Sequence, residues 1–455
     1  MNSLSRTVLI VVLPFLLFAC GEKKEEALTT HVKGRITVAD SVDASGNFSG
    51  IGITIIKKDS ANADADTLFH ETTAGDGTFS GTARFPEKRR YTMLFSRNSS
   101  RIGAANVILA DGDTLTVSGV LPALDRTLKM DSREHQALNT FQRVDRQFRR
   151  VLAYARLGEI PADSLNVELE KWINIYWEVY EDHEGTMASR FAAAEALRLM
   201  EGWKGRELMQ RLRSIQDDDD LAGLAARYGK EYLAETHGLD RSLSYLDTLL
   251  QITEEQDIRM YIQMERIKLL YDSARTEEAR QRLEAFRGRY AQNMIAKRWA
   301  DDISYDLNYL SPGDSIPDFE FRANGGTLSK DSLLGSPYIL EITSLTNPLY
   351  QEQYDRTVVI HSIYKNFGLD VVTIPLDTSQ VTVDSFFEER VRPWVVAPAK
   401  AFERDVLLKT FNITAIPTRF LVDREGRIVR KYVGREYKDV IQGIQSLMKE
   451  EEPAS

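Results

Sequence analysis

The stretch best placed to do chemistry is Ser344-Leu345-Thr346-Asn347-Pro348-Leu349, a polar turn between an apolar strand, Tyr338 to Ile342, and a helix from Pro348 to about Phe367. A hydroxyl in such a turn becomes a nucleophile only when a neighbouring base takes its proton, and no base is evident in the sequence near Thr346. Glu341 sits inside the apolar strand, where burial works against its charge, or at a solvated strand end. Cys20 is the sole cysteine, and the six histidines are scattered, His70 reading as a half-exposed sheet residue and His361 as part of the helix after Pro348. There is no His-Glu-x-x-His, no P-loop and no Gly-x-Ser-x-Gly. Asp217 to Asp220 are adjacent, whereas a calcium loop spaces its oxygens on alternate residues, so they read as acidic groups at the start of a helix. The sequence therefore predicts no catalytic residue, no metal ligand and no cofactor.

The elements around the turn give it a frame. A second strand runs from Asp370 to Asp377, and residues 419–423 turn through Asp423 to Gly426 into a further strand, Arg427 to Val433. A helix from Lys438 to Met448 closes the region. Strand, helix, strand, hairpin and helix in that order predict an α/β domain with a central mixed sheet.

Three segments carry a resemblance to a known family. Ser311-Pro312-Gly313-Asp314-Ser315-Ile316-Pro317-Asp318-Phe319 resembles the opening of TlpA/ResA-like thioredoxin domains, which are related to the peroxiredoxins. Ala415-Ile416-Pro417-Thr418 resembles their proline loop, and Leu421 to Val429 the hairpin after it. The resemblance covers about the last third of the chain. In that family the strand before the first helix ends in Cys-x-x-Cys, and here Thr346 and Leu349 stand at those two positions. Thiol-disulfide exchange needs an attacking thiolate and a resolving thiol, so the resemblance implies the scaffold without its redox pair. It also implies a cis Ile416–Pro417 bond that holds the backbone of Ala415 and Ile416 open to an extended peptide. A plainer reading is that Pro417 only shapes a turn. On the binding reading Thr346, Leu349, Ile416 and Pro417 line a recognition groove.

The rest of the chain is organised ahead of this domain. With 455 residues, 43% of them apolar, two to four domains are expected, and a net charge of −10 without a basic cluster sets nucleic acid aside. Residues 1–20 read as a secretory signal, and Leu17-Phe18-Ala19-Cys20 resembles a bacterial lipobox in which Cys20 is acylated. An ordinary signal peptide cut near Ala19 is the alternative. Residues 21–30 form a polar tether, and the expected location is the cell envelope, lipid-anchored, facing the periplasm from the outer membrane. Residues 31–122 alternate in short runs and predict an all-β sandwich resembling the DUF4369 type, with Gly75-Asp76-Gly77 as a hairpin. Residues 130–309 lengthen to a helical period, with stripes at Leu138, Phe141, Val144 and Phe148 and at Trp172, Tyr176 and Val179. There Thr253 is expected to cap a helix running to Tyr271, and Thr276 to open the next. Residues 311–449 complete the chain. The fold class is an N-terminal all-β sandwich, an α-helical middle and a C-terminal α/β thioredoxin-like domain.

Three functions compete. The first is a redox-inactive domain that binds another envelope protein, in a protein-binding or chaperone-like role. The second is a thiol-disulfide oxidoreductase or peroxide-reducing protein that draws a thiol from a partner. The third is a structural remnant whose binding passes through the helical middle.

Overall fold

The computed structural model describes residues 27–57, 66–98, 100–156, 159–323, 326–388 and 390–450; Cys20 and the signal segment lie outside them. The chain divides into two compact units, residues 1–199 and 200–455.

In the first unit, β1 (Leu28–Val38), β2 (Ile51–Lys57), β3 (Asp66–Thr72), β4 (Thr78–Phe85), β5 (Arg89–Arg97), β6 (Ser100–Leu109), β7 (Asp113–Leu121) and, after the short α1 (Leu124–Thr127), β8 (Lys129–Asp131) form two sheets. Their orders are β4-β1-β7-β8 and β3-β2-β5-β6. Alternation puts Ile51, Ile53 and Ile55 of one sheet, and Leu115 and Val117 of the other, into a shared core. Gly34 is required where β1 runs parallel to β7, because a Cβ there would lie 1.9 Å from the Val117 carbonyl oxygen. The turn at Gly75–Gly77 forms, with the Gly77 amide donating to Ala74 O at 2.9 Å, but it does not make a hairpin. β3 pairs with β2 and β4 with β1, so this turn carries the chain between sheets. Alternation sets which face of a strand is buried; it does not choose the partner strand. His70 is exposed on β3, its Nδ1 2.9 Å from Thr54 Oγ1. In α2 (Arg133–Arg156) and α3 (Ala162–Asp182), Phe148 packs against Trp172 and Tyr176 at 5.5 and 5.7 Å between ring centres. The unit ends within α4 (Met187–Met200).

The second unit starts with α5 (Gly205–Ile215), α6 (Asp219–His237), α7 (Leu239–Ile252), α8 (Gln256–Asp272), α9 (Thr276–Arg289) and α10 (Met294–Tyr309), each packed on its neighbours in sequence. Thr253 does not cap α8. Its amide closes α7 on Leu249 O at 3.0 Å, and the Glu255 carboxylate caps α8 by accepting from the amides of Asp257 and Ile258. Two helices meet there in three residues, and the longer side chain nearer the start of α8 reaches its free amides.

The C-terminal domain adds a small hairpin, β9 (Glu320–Ala323) and β10 (Gly326–Ser329), then β11 (Tyr338–Thr343), α11 (Pro348–Tyr364), β12 (Asp370–Pro375), α12 (Gln380–Phe387), β13 (Val395–Val396), α13 (Arg404–Thr410), β14 (Thr418–Val422), β15 (Ile428–Val433) and α14 (Val440–Glu450). The sheet order is β13-β12-β11-β14-β15; β11 runs parallel to β12 and antiparallel to β14. Along β11, Tyr338, Leu340 and Ile342 enter one core, and Ile339 joins the opposite core with Tyr350, Tyr354 and Tyr437. Glu341 falls by alternation on the face of Ile339.

Candidate functional site

Because β11 and β12 are parallel neighbours, with Thr343 opposite Pro375, Ser344 and Asp377 leave the sheet at the same edge. Carboxyl ends of parallel strands are where such sheets present binding groups. Asp377 holds the start of the turn with both oxygens: Ser344 Oγ donates to its Oδ1 at 2.8 Å and the Leu345 amide to its Oδ2 at 2.7 Å. Thr346 Oγ1 lies 2.8 Å from Ser344 Oγ. A serine has one hydroxyl proton and a carboxylate only accepts, so Ser344 donates to Asp377 and Thr346 donates to Ser344. The sequence shows no base adjacent to Thr346; the fold brings a carboxylate within one hydroxyl of it. Asp377 is linked to it through one hydroxyl, from 31 residues along the chain. Asn347 then caps α11, its Oδ1 accepting from the Tyr350 amide at 3.0 Å, and Pro348 occupies the first turn, where a missing N–H costs nothing. Thr346 itself is exposed.

Of the other groove residues, Leu349 lies in the first turn of α11, and Ile416 and Pro417 precede β14, on the other side of β11 from β12. The Ile416–Pro417 bond is cis. Pro417 is buried, and its carbonyl accepts from the Gly434 amide at 2.8 Å. Gly434 has φ +60°, and a Cβ placed there would stand 3.8 Å from Leu349 Cδ2. Leu349 and Pro417 therefore converge on Gly434. Among the described residues no hydrogen bond joins Thr346 to Ile416 or Pro417. The expectation of two open backbone residues also needs correction, because Thr418 Oγ1 donates to the Ala415 carbonyl at 2.7 Å. Ile416 remains open: among the described residues neither its N–H nor its C=O has a hydrogen-bond partner.

Behind the turn lies a buried polar network. Glu341 has no exposed surface, and its Oε1 accepts from Arg419 Nε at 2.6 Å. Its Oε2 accepts from Tyr350 OH at 3.1 Å and Thr373 Oγ1 at 2.9 Å; Trp394 Nε1 donates to that threonine at 2.9 Å. Of the two readings of Glu341, the buried one holds. Arg419 Nη1 donates to Gln353 Oε1 at 2.7 Å, and its guanidinium lies 3.8 Å from the centre of the Tyr437 ring. Burial pushes the Tyr350 hydroxyl well above its ordinary range, helped by the Glu341 charge. Burial also lifts Tyr437, to about 12, with the Arg419 cation opposing. Gln353 Nε2 donates to the Gly434 carbonyl at 3.1 Å, which ties the ion pair to the floor between Leu349 and Pro417. Arg419 was not among the expected site residues, although the sequence held a signal for it: an arginine opening one apolar run, and a glutamate inside another that becomes its cross-strand partner.

A family model described as thioredoxin-like matches residues 345–428. A thiol-disulfide oxidoreductase ResA of Bacillus cereus is 26% identical over 80 residues, 18% of this chain and 44% of that protein. ResA of Bacillus anthracis is 25% identical over 80 residues, with the same shares. The chain spans 44% of the length of these curated relatives. Among solved structures, a thioredoxin family thiol:disulfide interchange protein from Chlorobium tepidum TLS matches at 23% identity, over 30% of this chain and 97% of that one, with a TM-score of 0.27. The thioredoxin domain of a thiol-disulfide oxidoreductase from Bacteroides vulgatus matches at 18% identity, over 30% and 98%, with a TM-score of 0.27. A sheet of order β13-β12-β11-β14-β15, a helix starting at the turn after β11 and a cis proline before β14 now stand beside the family match, and the C-terminal region of this chain is a thioredoxin-like domain related to thiol-disulfide oxidoreductases.

Proposed function

We propose that the chain is a lipid-anchored protein of the bacterial cell envelope whose thioredoxin-like domain has given up disulfide exchange and binds an extended segment of another envelope protein. The observation that carries this reading is the open N–H and C=O of Ile416 beside Leu349 and Pro417, in a chain whose single cysteine is Cys20. A main-chain donor and acceptor at a strand end can pair with any extended backbone, and flanking side chains then select the sequence. At the two positions where the relatives' redox chemistry resides, Thr346 and Leu349 offer a hydroxyl and a hydrocarbon, and neither can form a mixed disulfide. Anchoring through Cys20 belongs to the same proposal and rests on the lipobox-like segment alone.

The test is capture of partners from detergent-solubilised envelopes by the native protein and by a Leu349→Asp variant of unchanged circular dichroism. The captured complex is then followed by amide hydrogen exchange. The expected result is a partner retained by the native chain, lost with Leu349→Asp, and slowing exchange at Ile416. Equal capture by both proteins, or a bound partner that leaves Ile416 unprotected, overturns the groove reading. It would move binding to the helical middle.

A further inference from the structure

A cavity of about 210 Å³ opens beside the proline loop, between the sheet and the helices that precede it in the chain. It is far larger than the ~10–15 Å³ that one water needs. Its walls come from α8 (Lys268, Tyr271), from α10 (Trp299, Asp302, Asp306) and from the sheet domain, where Thr414 lies two residues before Ile416.

The charges on these walls are mostly settled among themselves. Lys431 Nζ donates to both oxygens of Asp306, at 2.8 and 2.9 Å, and to the Asn412 carbonyl at 2.9 Å. Lys268 Nζ donates to both oxygens of Asp272 at 3.1 Å and pairs with Glu436 at 3.3 Å. Asp302 is different. Its backbone carbonyl accepts from Asn412 Nδ2 at 2.8 Å, but among the described residues its carboxylate has no hydrogen bond and no ion pair. Burial and the nearby Asp306 hold its pKa above the ordinary value, outweighing the more distant charges of Lys431 and Arg298. Trp299, one helical turn earlier on α10, also lines this space and packs against Phe286 at 5.2 Å between ring centres.

We propose that this cavity receives a lysine or arginine side chain from the segment that pairs with Ile416, with Asp302 as its counter-ion. The proposal rests on the groove reading and adds a sequence preference to it. Two residues of extended chain advance about 6.6–6.8 Å, and side chains two apart point the same way. The basic residue would therefore stand two positions from the one paired with Ile416, over Thr414 and the cavity. Among the described residues, the other charged groups on the lining, Lys268 with Glu436 and Lys431 with Asp306, pair with one another, so a cation there meets the one carboxylate without a close ion pair and an acidic side chain would be repelled by it.

Two measurements test this. In the first, n-butylguanidinium is titrated into the full chain labelled with 15N-tryptophan, beside the Asp302→Asn variant, which keeps the side-chain shape. The Trp299 indole signal should move with the native chain and need at least tenfold more ligand with the variant, while n-butanol moves neither. No movement, or equal movement in both proteins, overturns the proposal. In the second, random heptapeptides displayed on phage are selected on the native, Asp302→Asn and Leu349→Asp proteins. A lysine or arginine fixed at one position on the native chain, lost with Asp302→Asn while peptides still enrich, supports the cavity. Enrichment without that residue refutes the cavity and leaves the groove standing; no enrichment on the native chain refutes both.

Discussion

Replacing Glu341 by Gln isolates the buried ion pair at the centre of the C-terminal sheet. Side-chain exposure is 0% for Glu341 and 1% for Arg419, so neither charge is shared with water. The substitution leaves a guanidinium with Gln353 Oε1, the Tyr437 ring and a weakened contact at residue 341, and Arg419 Nη2 already has no partner. Removing one member of such a pair costs roughly 3–5 kcal/mol, because the survivor stays buried and uncompensated. Arg419→Met should cost less than Glu341→Gln. The stranded carboxylate keeps two neutral donors, Tyr350 and Thr373, and a carboxyl group can shed its charge by taking a proton, which a guanidinium cannot do by losing one. The double variant Glu341→Leu/Arg419→Met should recover most of the loss.

Hydrogen exchange read on peptides covering β11 and β14 is the suitable assay, since a chain of two units has no single unfolding free energy. At about 1.4 kcal/mol per factor of ten, Glu341→Gln should speed exchange in those strands by roughly one hundred- to several thousandfold. Strands of the first unit should be unchanged. If either single variant exchanges within about twofold of the native chain, the pair is not the anchor described, and the link through Gln353 to Gly434 loses its force. If the double variant is worse than both singles, the network stabilises through its neutral hydrogen bonds.

Two further outcomes follow from the geometry. In a Cys20→Ser background, Thr346→Cys/Leu349→Cys restores two thiols at the start of α11, where a helix N-terminus favours thiolate; the variant should form a reducible disulfide and reduce insulin at least tenfold faster than the background, and a failure to do either would mean the turn no longer presents these positions as its relatives do. In the first unit, His135 is buried with Nδ1 2.9 Å from Ser132 Oγ, and burial, against the opposing charges of Asp113 and Asp131, holds its pKa below 6.5. Its contribution is present above the unfolded value of about 6.5 and is lost as pH falls through the folded value, so the melting temperature of this unit should drop between pH 7.5 and 5.5 by less in His135→Gln than in the native protein.

How much of this was legible in the sequence depends on the distance over which each feature is decided. Strand alternation is local, and it placed Ile51, Ile53 and Ile55 in the core and marked the strands around Thr346 correctly. The partner of each strand is decided elsewhere. The turn at Gly75–Gly77 therefore looked like a hairpin and proved to link two sheets. Glu341 was noticeable because it interrupts an apolar run, but Arg419, its partner, is 78 residues away. Asp377 sits at the end of a legible strand, and only the pairing of β11 with β12 brings it to Ser344. The Lys431–Asp306 pair spans 125 residues and joins a helix of the middle region to the last strand of the sheet. No reading by composition or period reaches that far.

The two halves of the site differ in what they leave unsatisfied, and that difference is what supports the proposed binding role. At the turn, Asp377 accepts hydrogen bonds from the Ser344 hydroxyl and the Leu345 amide, Ser344 accepts one from Thr346, and Asn347 closes the helix start. The Thr346 proton would have to pass through a second hydroxyl to reach the carboxylate, and that carboxylate already holds the loop in place. Such a relay fixes a shape more readily than it activates a nucleophile. Across β11 the balance is reversed: among the described residues Ile416 keeps a donor and an acceptor with no partner, and the Asp302 carboxylate has no hydrogen bond or close ion pair, Lys431 and Arg298 acting on it only from farther off. Under the proposed groove reading, the open pair at Ile416, beside a half-buried leucine, and the Asp302 carboxylate lining the cavity next to it are the groups that a second chain would pair. If Ile416 proved protected from exchange in the isolated protein, it would already have a partner within the fold, and this argument for a peptide ligand would fall.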